Sequence, residues 1–189
     1  MADGRAARHE ATRRRIIEAA WLLAEERGLG GWALKDVADA VGMRTPSLYV
    51  YVESKNDLYD ALYADGYRQL LDRIDRLRVP ADPAAALGLA ARTFVDFCSE
   101  NGPRYQLLFL RTVPGFEPSQ ESYALALDVV ERTRAVLAAA GAGRPRDVDL
   151  FTALVTGLAS QQVSNDPGGR RWRRLTDDAV AMFLAARAA

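Results

Sequence analysis

Arg44, Thr45, Ser47, Tyr49, Tyr51 and Lys55 place two cations and four hydroxyls within a short stretch of chain. Hydroxyls and backbone N–H groups are ordinary partners of phosphate oxygens. An arginine can grip guanine through two hydrogen bonds. The chemistry these residue types offer is recognition rather than bond-making. Arg44 opens a short helical segment, the place from which a recognition helix meets base edges. Lys55 starts the next helix, where its charge and the free N–H groups can both hold a phosphate.

Two short helices must position these side chains. Leu34, Val37, Ala38 and Val41 follow the i, i+3, i+4, i+7 spacing of a helix with one apolar face. Gly42 ends that helix, because glycine takes the left-handed C′ conformation without a Cβ penalty. Met43 is apolar inside the turn, as a turn pinned to a core requires. Thr45 is the expected cap of the second helix, and Pro46 fits its first turn. Leu48 and Val52 point inward, which leaves Arg44, Thr45, Pro46, Ser47, Tyr49, Val50 and Tyr51 around the exposed side. A helix–turn–helix corner serves either duplex binding or structure alone.

The rest of the chain shows only helical periodicity. Ile16, Ala19, Ala20, Leu23 and Ala24 line a first helix, from about Arg8 to Arg27, which Gly28 ends. Ser54 and Asp57 make a capping-box-like start to a long fourth helix, with a bend or weak point expected at Asp65-Gly66. Asp82-Pro83 opens a helix that is apolar almost all round, and hence central. Shorter helices follow over Tyr105 to Leu110 and from Ser119 to Gly141. Another runs from Asp147 to about Ser164, and the last carries Trp172, Leu175, Ala179, Met182, Phe183 and Ala186. The fold class is all-α, about nine helices, with a small N-terminal unit and a larger C-terminal bundle.

Composition narrows the function classes. The 189 residues carry no net charge, so no global field draws the protein to nucleic acid or membrane. Locally, Arg5, Arg8, Arg13, Arg14 and Arg15 face only Asp3 and Glu10, which also describes a solvated, fraying terminus. Cys98 is the only cysteine and His9 the only histidine. No intramolecular disulfide can form, and a His- or Cys-based metal site is not expected. Cys98 suits a small core position. No apolar run is long enough to span a bilayer, and no secretory h-region follows the first arginines. The expected location is the cytoplasm. No glycine-rich phosphate loop follows a strand, and nothing gathers a nucleophile with an acid–base pair. No cofactor is expected.

The stretch from Val41 to Leu58, VGMRTPSLYVYVESKNDL, resembles the TetR (tetracycline-repressor) family of bacterial transcriptional regulators. The turn glycine, the Leu-Tyr pair and the Ser-Lys pair occur together at the family's spacing. Ile16, Ala20, Gly28, Val37 and Ala38 also fall on its usual apolar or glycine positions. The resemblance implies that residues 1–53 form a helix–turn–helix DNA-binding domain with a flexible basic N-terminal tail. Residues 54–189 would form a helical effector-binding and dimerisation domain. It further implies that Lys35, Arg44, Thr45 and Pro46 reach base edges, and that Ser47, Tyr49, Tyr51 and Lys55 hold the phosphate backbone. Two positions depart from the family pattern. Ala33 stands where relatives often have a capping threonine. Val50 stands where many have an aromatic or histidine, so an apolar contact, with a thymine methyl, or none is expected there.

The C-terminal part resembles one subfamily's ligand-binding domain through Val113 to Ser119, Gly157 to Gln162, Asn165-Asp166-Pro167 and Arg171-Trp172. That implies a small-molecule effector and a homodimer formed by the last two helices. Ala153, Gly157 and Ser160 make a small-residue face, and Trp172, Leu175, Met182 and Phe183 belong to an amphipathic stripe. Both features suit a dimer interface, and both also suit the chain's own core. Tyr67, Phe94, Phe97, Tyr105, Phe109, Phe116 and Tyr123, with Gln161 beside Gln162, are candidates for a mostly apolar pocket with polar hooks. The same aromatics would serve equally as core. The reading is a ligand-released repressor of a palindromic double-stranded DNA operator. The alternatives are a helical protein-interaction module and an enzyme without nucleic-acid binding.

Overall fold

A computed structural model describes residues 2–188. Among them the regular structure is nine α-helices and one 3-10 turn, with no strand. The helices are α1 (Ala2–Arg27), α2 (Leu34–Ala40), α3 (Thr45–Leu48), α4 (Lys55–Asp75) and α5 (Pro83–Glu100). They continue with α6 (Gly102–Phe109), α7 (Gln120–Ala139), α8 (Pro145–Asn165) and α9 (Thr176–Ala188). The 3-10 turn, Arg173–Leu175, leads into α9. Trp172 and Leu175, expected on the last helix, therefore lie before it. The chain forms two compact units: Met1–Gly66 with Pro103–Tyr123, and Tyr67–Gly102 with Ala124–Ala189.

In the first unit, α1 packs on α2 and α2 on α3. Ile16, Ala20, Leu23 and Ala24 of α1, Val37 and Ala38 of α2, Leu48 of α3, Val52, and Leu58 and Leu62 of α4 are buried. These are the apolar positions the helical spacing picks out. One feature of this unit overturns the expectation. The arginine-rich lead-in, expected as a flexible tail ahead of a helix starting near Arg8, is helical back to Ala2. Alanine and arginine are strong helix formers, and no glycine or proline interrupts residues 5–27.

Helix α4 runs through Asp65-Gly66 without a break. Gly66 answers a packing need. A Cβ there would meet the Leu108 methyl carbons at 2.8 and 3.0 Å, so any larger residue would have to push that side chain aside. Asp65 accepts a hydrogen bond from the Trp21 indole at 2.8 Å.

The second unit is built on α5, which packs against α8 and α9. Leu87, Ala91 and Val95 of α5 meet Leu137, Ala142, Phe151, Val155, Val180 and Phe183 in one core. Asp82 caps α5, its carboxylate accepting from the Ala85 N–H at 2.7 Å. Cys98 is buried, as expected of a small core residue. Asp147 is fully buried and bonds both Arg144 and Arg187. Burial pushes its carboxyl upward, but the bonds from the Arg144 side chain and N–H, with the Arg187 charge, hold it below the usual range.

Candidate nucleic-acid interface

The candidate interface is a short corner between α2 and α3. Gly42 takes φ +73° and lets the chain leave α2. The Met43 N–H closes the turn on the Ala38 carbonyl at 2.9 Å. From α1, the Arg15 guanidinium donates to the Val41 carbonyl at 3.0 Å, a cation on the carbonyl end of α2. Arg15 was not singled out as a positioning residue from sequence. Its signal was its place beside Ile16, the first buried position of α1.

Ala33 offers no capping side chain, as expected from sequence. Asp36 supplies part of what is missing. Its carboxylate reaches back to accept the Ala33 N–H at 2.7 Å, one arm of a capping box. That bond, with the Arg27 guanidinium 3.4 Å away, holds the Asp36 carboxyl below its ordinary value. The acidic residue three positions into the helix was the readable signal.

Helix α3 is brief. Arg44, in extended backbone, is its N-cap, with Thr45 and Pro46 as its first residues. Thr45 is thus inside the helix and not its cap, and no side chain caps α3. Beyond Leu48 the chain continues as a turn, the Tyr51 and Val52 N–H groups both bonding the Leu48 carbonyl. This arrangement exposes Arg44, Pro46, Ser47, Tyr49 and Val50, the last at 70% of its surface. Lys35 is exposed on α2, and Thr45 is half-buried. Tyr51 is half-buried beneath the His9 ring, their centroids 4.7 Å apart.

Lys55 is placed differently from a free phosphate ligand. Its ammonium donates to the Trp32 carbonyl at 2.5 Å and lies over the Trp32 ring at 4.4 Å from the centroid. Burial lowers the pKa of Lys55, with Asp36 opposing. Ser54 and Asp57 fix the start of α4. The Ser54 hydroxyl accepts the Asp57 N–H at 3.0 Å, and the Asp57 carboxylate accepts the Glu53 N–H at 2.8 Å.

The effector candidates are drawn from both units. Tyr105, Phe109, Phe116 and Tyr123 belong to the first unit; Tyr67, Phe94, Phe97 and Gln161 belong to the second. The Tyr105 and Phe109 rings lie 5.9 Å apart. Phe116 packs on Tyr59 and Tyr63 at 5.8 and 6.3 Å. Tyr67 and Phe97 are buried and Phe94 half-buried. Tyr123 and Gln161 are the exposed members of the set. Tyr123 is half exposed, and Gln161 lies on the outer side of α8, bonded to Asn165 at 2.6 Å. Gln162, its neighbour, is buried and accepts the Trp172 and Arg173 N–H groups, so it holds the loop before α9.

Among the dimer candidates, Ala153, Gly157, Leu175 and Met182 are exposed and Ser160 and Trp172 half-buried. Phe183 is the exception. It is buried against Phe151, with ring centroids 5.5 Å apart, and belongs to the chain's own core. No group of three or more metal-ligating side chains occurs among the described residues. Nor is any helix there long and apolar enough to cross a membrane.

Comparison with known proteins places this geometry. Residues 16–62 match the model of the tetR family of bacterial regulatory proteins. Over 160 residues the chain is 28% identical to the HTH-type transcriptional regulator Rv1816 of Mycobacterium tuberculosis, covering 81% of this chain and 56% of that protein. The chain thus spans about half the length of the curated relatives it matches. A tetR-family transcriptional regulator from Streptomyces coelicolor shares the fold with a TM-score of 0.70 and 24% identity, over 94% of this chain and 81% of that one. So does the regulator FadR from Bacillus subtilis, solved in complex with stearoyl-CoA, with a TM-score of 0.66 and 16% identity, over 91% and 97% of the two chains. Residues 16–62 are therefore similar to the tetR family of bacterial regulatory proteins, and the whole chain shares the fold of solved tetR-family regulators.

Proposed function

We propose that the protein is a transcriptional repressor that binds a palindromic operator as a homodimer and is released by a small-molecule effector. The observation that carries this reading is the exposed face of Arg44, Pro46, Ser47, Tyr49 and Val50 on a corner buttressed by α1. Arg44 and Lys35 read base edges, with Thr45 and Pro46 packing beside them. Ser47, Tyr49 and Tyr51 hold phosphates, and Lys55 serves chiefly to anchor α4 beneath the corner. Residues 1–53 bind DNA; residues 54–189 bind the effector and dimerise. The protein works in the cytoplasm and needs no cofactor.

Two copies would set two recognition helices into successive major grooves, roughly 34–36 Å apart. The exposed Ala153, Gly157, Leu175 and Met182 supply the contact between copies, a self-complementary interface of the kind a two-fold axis makes. Helix α4 begins beside the corner, and its Asp60 holds the loop before α7 through Ser119 and Ser122, at 2.7 to 2.9 Å. An effector that moves α4 therefore moves the corner. It must bind the DNA-incompetent state more tightly, or it shifts nothing. The FadR neighbour, solved in complex with stearoyl-CoA, supports a small-molecule ligand for this chain.

Titrating the protein onto a duplex from upstream of its own coding sequence, at two salt concentrations, tests the reading. A sequence-specific shift that weakens with salt is expected. Its absence at low salt contradicts DNA regulation and leaves the corner as a protein-interaction surface.

A further inference from the structure

We propose that the first turns of α1 are a second duplex-binding element, in which Arg5 and Arg8 hold phosphates outside the groove entered by the corner. The inference rests on the reading of the corner as a DNA interface. Helix α1 starts at Ala2, but its first buried residue is Ile16. Residues 4–11 are all exposed. More than two turns of helix therefore stand clear of any core, so burial gives no account of them.

Arg5, Arg8, His9 and Thr12 share one face by the i, i+3, i+4, i+7 rule. The His9 ring on that face lies 4.7 Å from Tyr51 and tilted 30° to it. That contact fixes the arginine face next to a candidate phosphate-binding hydroxyl. Among the described residues, neither Arg5 nor Arg8 is in an ion pair, whereas Arg15 further along is bonded to the Val41 carbonyl. Exposed, unpaired guanidinium groups on a preformed helix fit a polyanion, and arginine matches phosphate oxygens bidentately. Because phosphate carries no base identity, such contacts would add affinity and orientation without reading sequence.

The test is a salt series of anisotropy titrations with the full chain on the upstream duplex and a scrambled duplex. Wild type is compared with Arg5→Ala/Arg8→Ala and with Arg14→Ala, whose side chain lies on the opposite face of α1. Alanine preserves the helix, which circular dichroism verifies. The double variant should bind both duplexes more weakly by the same factor. Its slope of log affinity against log salt should be shallower by about 1.8 per protomer, while Arg14→Ala keeps the wild-type slope. If wild type prefers the upstream duplex and the double variant matches it in slope and affinity, the element is refuted and the corner reading stands. If Arg14→Ala lowers the slope as much per charge, the effect is general charge and the element is refuted. A wild type that binds neither duplex overturns both.

Discussion

The Lys55 ammonium lies 2.5 Å from the Trp32 carbonyl oxygen and 4.4 Å from the centre of the Trp32 ring. One side chain thereby ties the first turn of α4 to the loop between α1 and α2, which is half the frame of the corner. Lys55 is half-buried, and burial lowers its pKa. This is the signature of a cation committed to its own protein.

Lys55→Met should therefore cost stability before it costs DNA affinity. Losing a hydrogen bond from a charged donor is worth about 1.5–3 kcal/mol. Urea unfolding should show a lower midpoint, while the folded fraction should still bind the upstream duplex within a few fold of wild type. Unchanged stability with lost affinity would return Lys55 to the phosphate backbone.

Arg44 has the opposite character. It is exposed, and it sits at the N-cap of α3 without a side-chain capping bond. Arg44→Ala should leave the melting temperature within a degree or two, because a surface substitution of this kind changes stability by only about 0.5 kcal/mol. It should cost about 1–3 kcal/mol in specific affinity and relax preference at one base pair of each half-site. Binding measured against a set of singly substituted duplexes separates that loss from a uniform weakening.

Much of this was legible in the sequence, for a physical reason. The periods of Ile16 to Ala24, of Val37 and Ala38, and of Leu48 and Val52 follow from which side of a helix faces a core, and each of those residues is buried. Gly42 and Asp82-Pro83 acted through local backbone rules and appear where those rules put them. What the sequence did not reveal is what needs a partner distant in sequence. The contact between Gly66 and Leu108 is not visible from the neighbours of either. Phe183 and Met182 are adjacent on one amphipathic helix, yet only the fold decides that Phe183 meets Phe151 while Met182 is 74% exposed. The bond between Lys55 and the Trp32 carbonyl spans twenty-three residues and is likewise invisible in the local sequence.

Gly157 offers a direct probe of assembly. A Cβ built there meets nothing within 4 Å in the chain itself. Gly157→Arg should accordingly leave the helical content intact and convert the proposed dimer to a folded monomer. Light scattering across a concentration series measures this, and weaker operator binding should accompany it. A variant that stays dimeric would move the interface away from α8.

Asp147 gives a pH dependence with a definite sign. Its carboxyl is held below its ordinary value of 3.8, so the native chain binds fewer protons than the unfolded chain in that range. The stability it contributes is present above about pH 4 and is lost as pH falls through the lowered native value. Asp147→Asn, which leaves Arg187 beside a neutral partner, should melt lower than wild type at pH 7. The gap should narrow as both proteins are melted at progressively lower pH. A gap constant down to pH 3 would mean that the carboxylate charge is not what Arg144 and Arg187 recognise.

Selection of bound sequences from a random-sequence duplex pool tests the central claim most directly. A two-fold protein reading bases through Arg44 and Lys35 should enrich an inverted repeat whose half-sites lie about one helical turn apart, 10–10.5 base pairs centre to centre. Arg44→Ala should blur one position in each half. Recovery of the starting pool without enrichment, from a protein shown to be folded, would contradict the account.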